Sequence, residues 1–549
     1  METINIDSLV VGAGMSGIYA THRLSRMGLS VKCIEIAGDV GGTWYWNRYP
    51  GAMSDTETYL YRFSWDKEDL QTYPWSHHYV YQPEILKYLQ HITDKHGLRQ
   101  YMQFNTEMTA AVWDDTAKRW QVTLSTGQVI SARYLITCLG ILAKANWPKI
   151  TGLSSFAGEL VHTSRWDTNI NLEGKRVGII GNGSTGVQVM TAIAPIVKEL
   201  KSFQRHPQYS VPSGQKQVPE GYRDTINANY EKIYDELWNS AMGFGVPEST
   251  RKTMESTPEE RQKAFQEMWN QGNGFRFLLS AFGDLLWDRE ANEEACKFIR
   301  SKIDEIVTDP RKAAALKPYE LYARRPLCDA GYYDIFNHDH VDIVDLRETP
   351  ITEIVPTGIK TSDDRVHELD VLICATGFDA VEGQHLRLRI VGHDGYTIQK
   401  HWENGPTAYG SIACPGFPNM FIVAGPQGTF ANFPPVIELE VDFIMSCIEH
   451  AEKDTASPTA EANGKTANGA SSDQRRTIME ALPDAEKAWV KHCEDLMAGS
   501  LLKEVPSWIN GVNVAGRKAT TNFYFGGLKG YSDWMKKEIA DGLKGFQRI

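Results

Sequence analysis

An α/β fold with two Rossmann-like dinucleotide-binding domains and a helical insertion is predicted by three features of the sequence. A glycine loop near the N-terminus, Gly12, Gly14 and Gly17 in VVGAGMSG, follows an apolar strand pattern and opens a helical one. A second loop of the same spacing, Gly181, Gly183 and Gly186 in GNGSTG, repeats the arrangement after the apolar run Val177–Ile180. Residues 220–318 then become charged and helix-forming before strand patterns resume at Val341–Val344. In such loops glycine permits the tight turn and lets backbone N–H groups approach a pyrophosphate at a helix N-terminus. Two phosphate cradles in one chain imply two dinucleotides, and two dinucleotides imply redox chemistry.

In chain order, residues 4–11 read as the first strand, Ile18–Met27 as the first helix, and Leu29–Ile36 as the strand that closes a βαβ unit. That strand carries Glu35, roughly 20 residues beyond Gly12, where a ribose-binding carboxylate belongs. At the N-terminal end of the chain and followed by GGTWYW, this pattern is the one expected for FAD. Trp44, Tyr45 and Trp46 crowd between glycines and a Pro-Gly turn. Such density suits core packing or the apolar walls of a flavin site. Asp55 on the same loop is the acid to place near the flavin. It is also a candidate N-cap for a helix from Thr56, with Glu57 in the first turn. A helix over 84–97, a β-meander over 101–125 and the strand Tyr134–Cys138 complete this part, and the proline of ANWPKITG marks a crossover.

The second glycine loop, with Ser184 and Thr185 in its cradle, opens a helix over Val187–Ile193, and the strand Glu199–Phe203 follows. Arg205 then takes nearly the register that Glu35 holds in the first unit. A ribose 2′-hydroxyl suits a carboxylate, whereas a 2′-phosphate suits a guanidinium that can grip it with two donors. The second nucleotide is therefore expected to be NADPH; the competing reading of Arg205 is a solvated surface charge.

The insertion opens a helix at the capping box Thr257-Pro258-Glu259-Glu260, and Arg261–Asn270 and Asn292–Ile306 are amphipathic. Its aromatic residues Trp269, Phe275, Phe277, Phe282 and Trp287 read as core. Arg324, Arg325 and Pro326 form a fixed basic corner, suited to an anionic intermediate or the nicotinamide end. Leu369–Ala375 is a buried strand running into ATGFD, a return to the first domain, and Met420–Gly425 is another that ends in GPQG at the flavin. Pocket walls are expected from the insertion and from loops near 427–435 and 500–515.

The boundaries that follow are 1–145 and 375–549 for the two parts of the FAD-binding domain and 146–222 and 319–374 for those of the NADPH-binding domain. The insertion takes 223–318, and the Ala-, Ser-, Asn- and Gly-rich stretch 455–475 reads as a mobile surface loop.

Composition narrows the class. A chain of 549 residues is too long for one core. A net charge of -12 argues against nucleic acid and anionic membranes as partners. No apolar run reaches the ~18 residues of a spanning helix, and the first strand begins too early for a signal peptide. A cytoplasmic monomer is the expectation. The eight cysteines include no CxxC or CxxxxC pair, which excludes a zinc ribbon and a local redox disulfide, and the histidines show no metal spacing. No metal is expected.

These residues resemble a type I Baeyer–Villiger monooxygenase over essentially the whole chain. The family pattern FxGxxxHxxxW followed by Pro or Asp is complete as Phe156, Gly158, His162, Trp166 and Asp167. Its companion GGxWxxxxYPGxxxD is complete as Gly41, Gly42, Trp44, Tyr49, Pro50, Gly51 and Asp55. Sister flavin monooxygenases that oxidise nitrogen and sulfur usually end the first pattern in Tyr or Phe, so Trp166 favours the Baeyer–Villiger branch. The resemblance implies FAD and NADPH as cofactors. It implies a flavin C4a-peroxide, formed with O2, that attacks a small-molecule ketone to give an ester or lactone, with sulfides as further substrates.

It also implies roles: Arg325 as the active-site arginine and Asp55 as the acid that orients it, Arg324, Arg205 and Trp508 as NADPH contacts, and Glu35, Trp44 and Tyr61 as FAD contacts. His162 belongs to the domain connector. Where the family often has Arg or Gln with Cys before the loop aspartate, this chain has Ala52-Met53-Ser54. Two rivals share the nucleotide features, an N- or S-oxidising flavin monooxygenase and a non-catalytic flavin-binding redox sensor.

Overall fold

The computed structural model describes residues 3–455, 477–514 and 516–549, so the loop expected over 455–475 lies, beyond its first residue, outside the described residues. Two sheets organise the chain. The larger runs Arg389–Val391, Met108–Asp114, Arg119–Leu124, Val129–Thr137, Thr3–Val11, Val31–Ile34 and Met102–Gln103, with Met420–Ile422 also on Val129–Thr137. Thr3–Val11 is parallel to both neighbours, and the meander 108–137 is antiparallel within itself. Arg119–Leu124 and Met420–Ile422 share one edge of Val129–Thr137, the first pairing residues 129–132 and the second 135–137. The C-terminal part of the chain therefore completes the sheet that the N-terminal part begins.

The second sheet runs Val341–Asp345, Glu199–Gln204, Arg176–Ile180, Val371–Cys374 and Glu159–His162, all parallel. Its central strands are buried on both faces, as the apolar runs around Val177 and Leu372 require. Val371–Cys374, inside the buried strand expected over Leu369–Ala375, pairs between two strands of this sheet. The return itself is made by Phe378–Asp379, which pairs antiparallel with Lys144–Ala145.

Between Ser210–Pro212 and Leu327–Asp329, which pair with each other, the chain forms helices at Tyr222–Asn227, Tyr230–Trp238, Pro258–Gln271, Gly274–Ser280, Arg289–Ile306 and Pro310–Leu316. The capping box forms: the Thr257 hydroxyl accepts from Glu260 N–H, and the Glu260 carboxylate accepts from Thr257 N–H. Trp269, Phe275, Phe277 and Phe282 are buried, but Trp287 is 47% exposed and is no core residue. All eight cysteines are free and buried. Among the described residues, no helix is long and apolar enough to cross a membrane.

Candidate active site

The same turn is built twice. Gly14 and Gly183 cap the helices Met15–Ser25 and Ser184–Ile193 with nearly identical backbone angles, φ -75°, ψ -168° and φ -73°, ψ -170°. Neither helix has a side-chain cap or an acid in its first turn, so the first N–H groups are left for an anion. Gly12 and Gly181 sit at φ +107° and +104°, and a Cβ on either would lie within 2.5 Å of a backbone oxygen of the neighbouring strand end. Gly17 and Gly186 pack so close to the turn that a Cβ would meet the Gly12 or Gly181 carbonyl. Gly14 faces Gly42, and Gly183 has no atom near its Cβ position, which leaves open backbone where a pyrophosphate would lie. Both cradles fit a dinucleotide. Both helices begin at the glycine loop, a few residues earlier than their apolar patterns suggest, because the cap is glycine backbone.

Glu35 follows Val31–Ile34 and is 5% exposed. Its carboxylate accepts from Ala13 N–H at 2.6 Å and Ala37 N–H at 2.8 Å. Burial raises its pKa against those hydrogen bonds. It thus braces the glycine loop at the position where a ribose would come.

The segment after Gly41 holds the aromatic wall and the acid. Trp44 is buried and donates its indole N–H to the Tyr61 hydroxyl at 3.2 Å, with the rings edge to face. Burial pushes the Tyr61 phenol up to about 12, so it stays neutral. No helix follows Asp55: residues 54–63 are turns, bends and irregular backbone, and the N-cap expected there does not form. The physical reason is local, since the Ser54 hydroxyl accepts from Thr56 N–H and Thr58 N–H pairs with His78 C=O. The Asp55 carboxylate is left for a different partner, the Arg325 guanidinium. Met53, in the stretch that departs from the family pattern, is buried and bridges to Tyr81, so the loop is held without the usual Arg or Gln and Cys.

Arg325 meets three further groups. Its guanidinium donates to Ser184 Oγ in the second glycine loop at 3.4 Å and to Pro326 C=O at 3.4 Å. Its centre lies 5.3 Å from the Phe275 ring. Burial pulls its pKa down, but the Asp55 carboxylate outweighs this and holds it above the ordinary arginine value. A permanent cation thus stands between the first unit's acid and the second unit's cradle, with a quarter of its side chain exposed.

Arg205 is exposed directly after Glu199–Gln204, and among the described residues it makes no ion pair. Arg324 pairs with Glu320 at 2.5 Å and donates to Pro506 C=O at 3.0 Å. That carbonyl lies two residues before Trp508, which packs edge-on against Phe523. His206, between these groups, is kept below its usual pKa by burial and by Arg205, Arg324 and Arg347, against the pull of Glu320. Arg347 pairs with Asp345 and Arg324 with Glu320, which leaves Arg205 as the open charge of this basic patch.

His162 ends the edge strand of the second sheet, buried against Trp147, and burial lowers its pKa to about 4, so it is a neutral connector residue. Spacing gives no sign of one grouping: His401, Cys414 and Glu486 come together within 4.8 Å. His401 pairs with Glu486 at 2.9 Å, and Cys414 is a thiol that burial drives upward and that donates to Thr407 C=O. Sequence reasoning also missed Phe275 as a neighbour of Arg325, along with Gln188, Tyr49 and Asn273, which tie the Asp55 loop to other elements. The Tyr49-Pro50-Gly51 motif was the one available signal.

The model of flavin-binding monooxygenase-like proteins matches residues 7–205. A cyclohexanone 1,2-monooxygenase of Acinetobacter sp. is 45% identical over 96% of this chain and 94% of its own. A phenazine N-monooxygenase of Lysobacter antibioticus is 43% identical over 98% and 96%. The crystal structure of a cyclohexanone monooxygenase from Rhodococcus sp. Phi1 bound to NADP+ superposes with a TM-score of 0.94 at 44% identity, over 100% of this chain and 99% of the other. With two dinucleotide cradles and an arginine–aspartate pair between them, the chain belongs to the type I Baeyer–Villiger monooxygenases, FAD- and NADPH-dependent flavoproteins.

Proposed function

We propose that this enzyme converts small cyclic ketones, of the size of cyclohexanone, into lactones by inserting one oxygen atom from O2 beside the carbonyl. The observation that carries the reading is the Arg325–Asp55 pair placed against Ser184. FAD would lie on Gly12, Gly14 and Gly17 with Glu35, Trp44 and Tyr61. NADPH would lie on Gly181, Gly183, Ser184, Thr185 and Gly186 with Arg205, Arg324 and Trp508. When bound, the two supply hydride transfer and the activation of oxygen.

The chain's own residues set the electrostatics. A guanidinium stays charged at neutral pH, since its pKa exceeds ~12, so Arg325 stabilises developing negative charge without giving up a proton. Such preorganised charge is worth most where water is excluded. Phe275 covers one face of the cation, and Asp55 fixes its direction. Lysine in that place would lose the fork of donors that reaches Asp55, Ser184 and Pro326 together.

A second reading rests on the 43% identical phenazine N-monooxygenase: oxygen transfer to an aromatic ring nitrogen. Both are tested by mass spectrometry after FAD-loaded enzyme meets NADPH, air and a panel of cyclic ketones, sulfides and phenazines. Lactones bear out the first reading. N-oxides without lactones replace it with the second, and hydrogen peroxide alone across the whole panel defeats both. The reading takes the enzyme to act as a monomer in the cytoplasm; light scattering and cell fractionation test those two points.

A further inference from the structure

Asn273 is a side chain to which the reading of Arg325 and Asp55 assigns nothing. It caps the helix Gly274–Ser280 from a backbone φ of +76° and ψ of 117°, a conformation that non-glycine residues rarely hold. It is 2% exposed. Its side-chain oxygen accepts from Phe275 N–H at 2.8 Å and Arg276 N–H at 3.3 Å. Its side-chain nitrogen donates to Asp55 C=O at 2.9 Å and to the Tyr79 hydroxyl at 3.0 Å. A carboxamide offers two donors and two acceptor sites, and here all four are used.

The helix so capped reaches both sides of the ion pair. Phe275 lies against the Arg325 guanidinium, and Gly274 N–H meets Cys328 Sγ at 3.2 Å, three residues beyond Arg325. Arg276 pairs with Glu57 at 3.1 Å, two residues beyond Asp55. One short helix thus holds the acid's loop with Asn273 and Arg276, the strand that follows the arginine with Gly274, and the guanidinium itself with Phe275.

The geometry points to Asn273 as a positioning residue, which sets the backbone of Asp55 and through it the direction of the Arg325 guanidinium. This rests on the reading of that pair as the oxygenation machinery. A cap alone needs only the side-chain oxygen, which aspartate also supplies. The bond to Asp55 C=O needs the amide nitrogen, which aspartate lacks.

The experiment compares Asn273→Asp and Asn273→Gly with the wild type as full-length FAD-loaded enzymes, using a ketone that the wild type converts. Asn273→Asp keeps the cap acceptor, and Asn273→Gly accepts the positive φ without strain, so the two variants perturb the fold in different ways. In both, product per NADPH should fall by on the order of tenfold, with hydrogen peroxide rising to match. Most of the loss should appear in kcat and little in KM. The visible circular dichroism of the oxidised flavin, read without turnover, should shift in both variants and in the same direction in Asp55→Ala. Wild-type coupling and an unchanged flavin spectrum in a folded Asn273→Asp enzyme would reduce Asn273 to a helix cap and overturn the proposal. Arg325→Ala and Asp55→Ala are the controls. If these retain full coupling, the reading of the pair has failed; if they lose it while both Asn273 variants keep it, only the present inference has failed.

Discussion

At Arg325 one side chain joins groups from three parts of the chain: Asp55, Ser184 and Phe275. Removing it leaves an acid without its cation and takes one donor from Ser184, while the first cradle is untouched. Arg325→Ala should therefore bind FAD as the wild type does while lactone formation falls by about a thousandfold, the scale of losing one preorganised charge contact. Flavin fluorescence titration and product quantification check the two halves. Arg205 makes the complementary case. It is the open cation of a patch whose other arginines are paired, so Arg205→Ala should raise KM for NADPH by about tenfold or more and leave KM for NADH almost unchanged. Steady-state kinetics with both cofactors decides it, and equal effects on both would remove the phosphate role. Both residues were singled out in the sequence, Arg205 from its register after a glycine loop and Arg325 from a proline-locked pair. Asn273 was not, because nothing in a linear sequence tells a cap asparagine from one that also grips a loop 218 residues away.

At the scale of elements, the strands and helices that carry the glycine loops were legible because their signals are local. The capping box at Thr257 formed as its pattern required, and the meander expected over 101–125 formed as Met108–Asp114 and Arg119–Leu124, extended by Val129–Thr137. The helix expected from Thr56 did not form: its first-turn N–H groups, which an Asp55 cap would have met, go to the Ser54 hydroxyl and to His78 C=O instead. The helix Phe433–Thr455 brings two acids into the core of the first unit. Glu438 accepts from Ser64 N–H, and Glu440 accepts from Ala424 N–H and from the Tyr531 hydroxyl. Burial pushes both carboxyls up to about 7. In the unfolded chain they titrate near 4.5, so between that pH and 7 the folded state holds more protons than the unfolded one. Stability is therefore lost as pH rises through this window, and the loss is complete above about 7. Glu438→Gln with Glu440→Gln should flatten that slope. The wild type should lose roughly 1 °C of Tm, relative to the double variant, for each ~1 kcal/mol of burial cost on going from pH 5 to pH 8 in a chain of 549 residues. Melts of the FAD-loaded proteins across that range measure it, and parallel curves would refute it.

At the scale of the whole molecule, the question is how one cradle senses the other. Gln188, on the helix that opens at the second glycine loop, accepts from the Tyr49 hydroxyl at 3.0 Å and donates to Met53 C=O at 3.2 Å. The approach is close: a Cβ on Gly51, at φ +80°, would come within 2.6 Å of the Gln188 carbonyl. The Asp55 loop is thus fastened to the helix that would carry the second nucleotide's phosphates. Gln188→Leu keeps the bulk and removes both bonds. We expect product per NADPH to fall severalfold with hydrogen peroxide rising, while Tm drops by less than about 3 °C. Oxygen-electrode and product assays on the same samples test it, and unchanged coupling would show that the bonds carry no such role.

The sequence by itself determined the two cradles and the two nucleotides, and its resemblance to a family gave the reaction class. The cradles and nucleotides rest on backbone geometry that a few adjacent residues dictate: glycine where no Cβ fits, an apolar strand before it, and an acid or a base at the end of the next strand. The resemblance named Asp55 as the partner of Arg325, and only the tertiary structure decided how the pair is built and what else surrounds it. Asp55 lies 270 residues from Arg325 along the chain, and Ser184, Phe275 and the Asn273 brace arrive on other elements. Contacts of that range are fixed by how two sheets and an insertion pack together, and packing leaves no periodic mark on the residues that happen to meet.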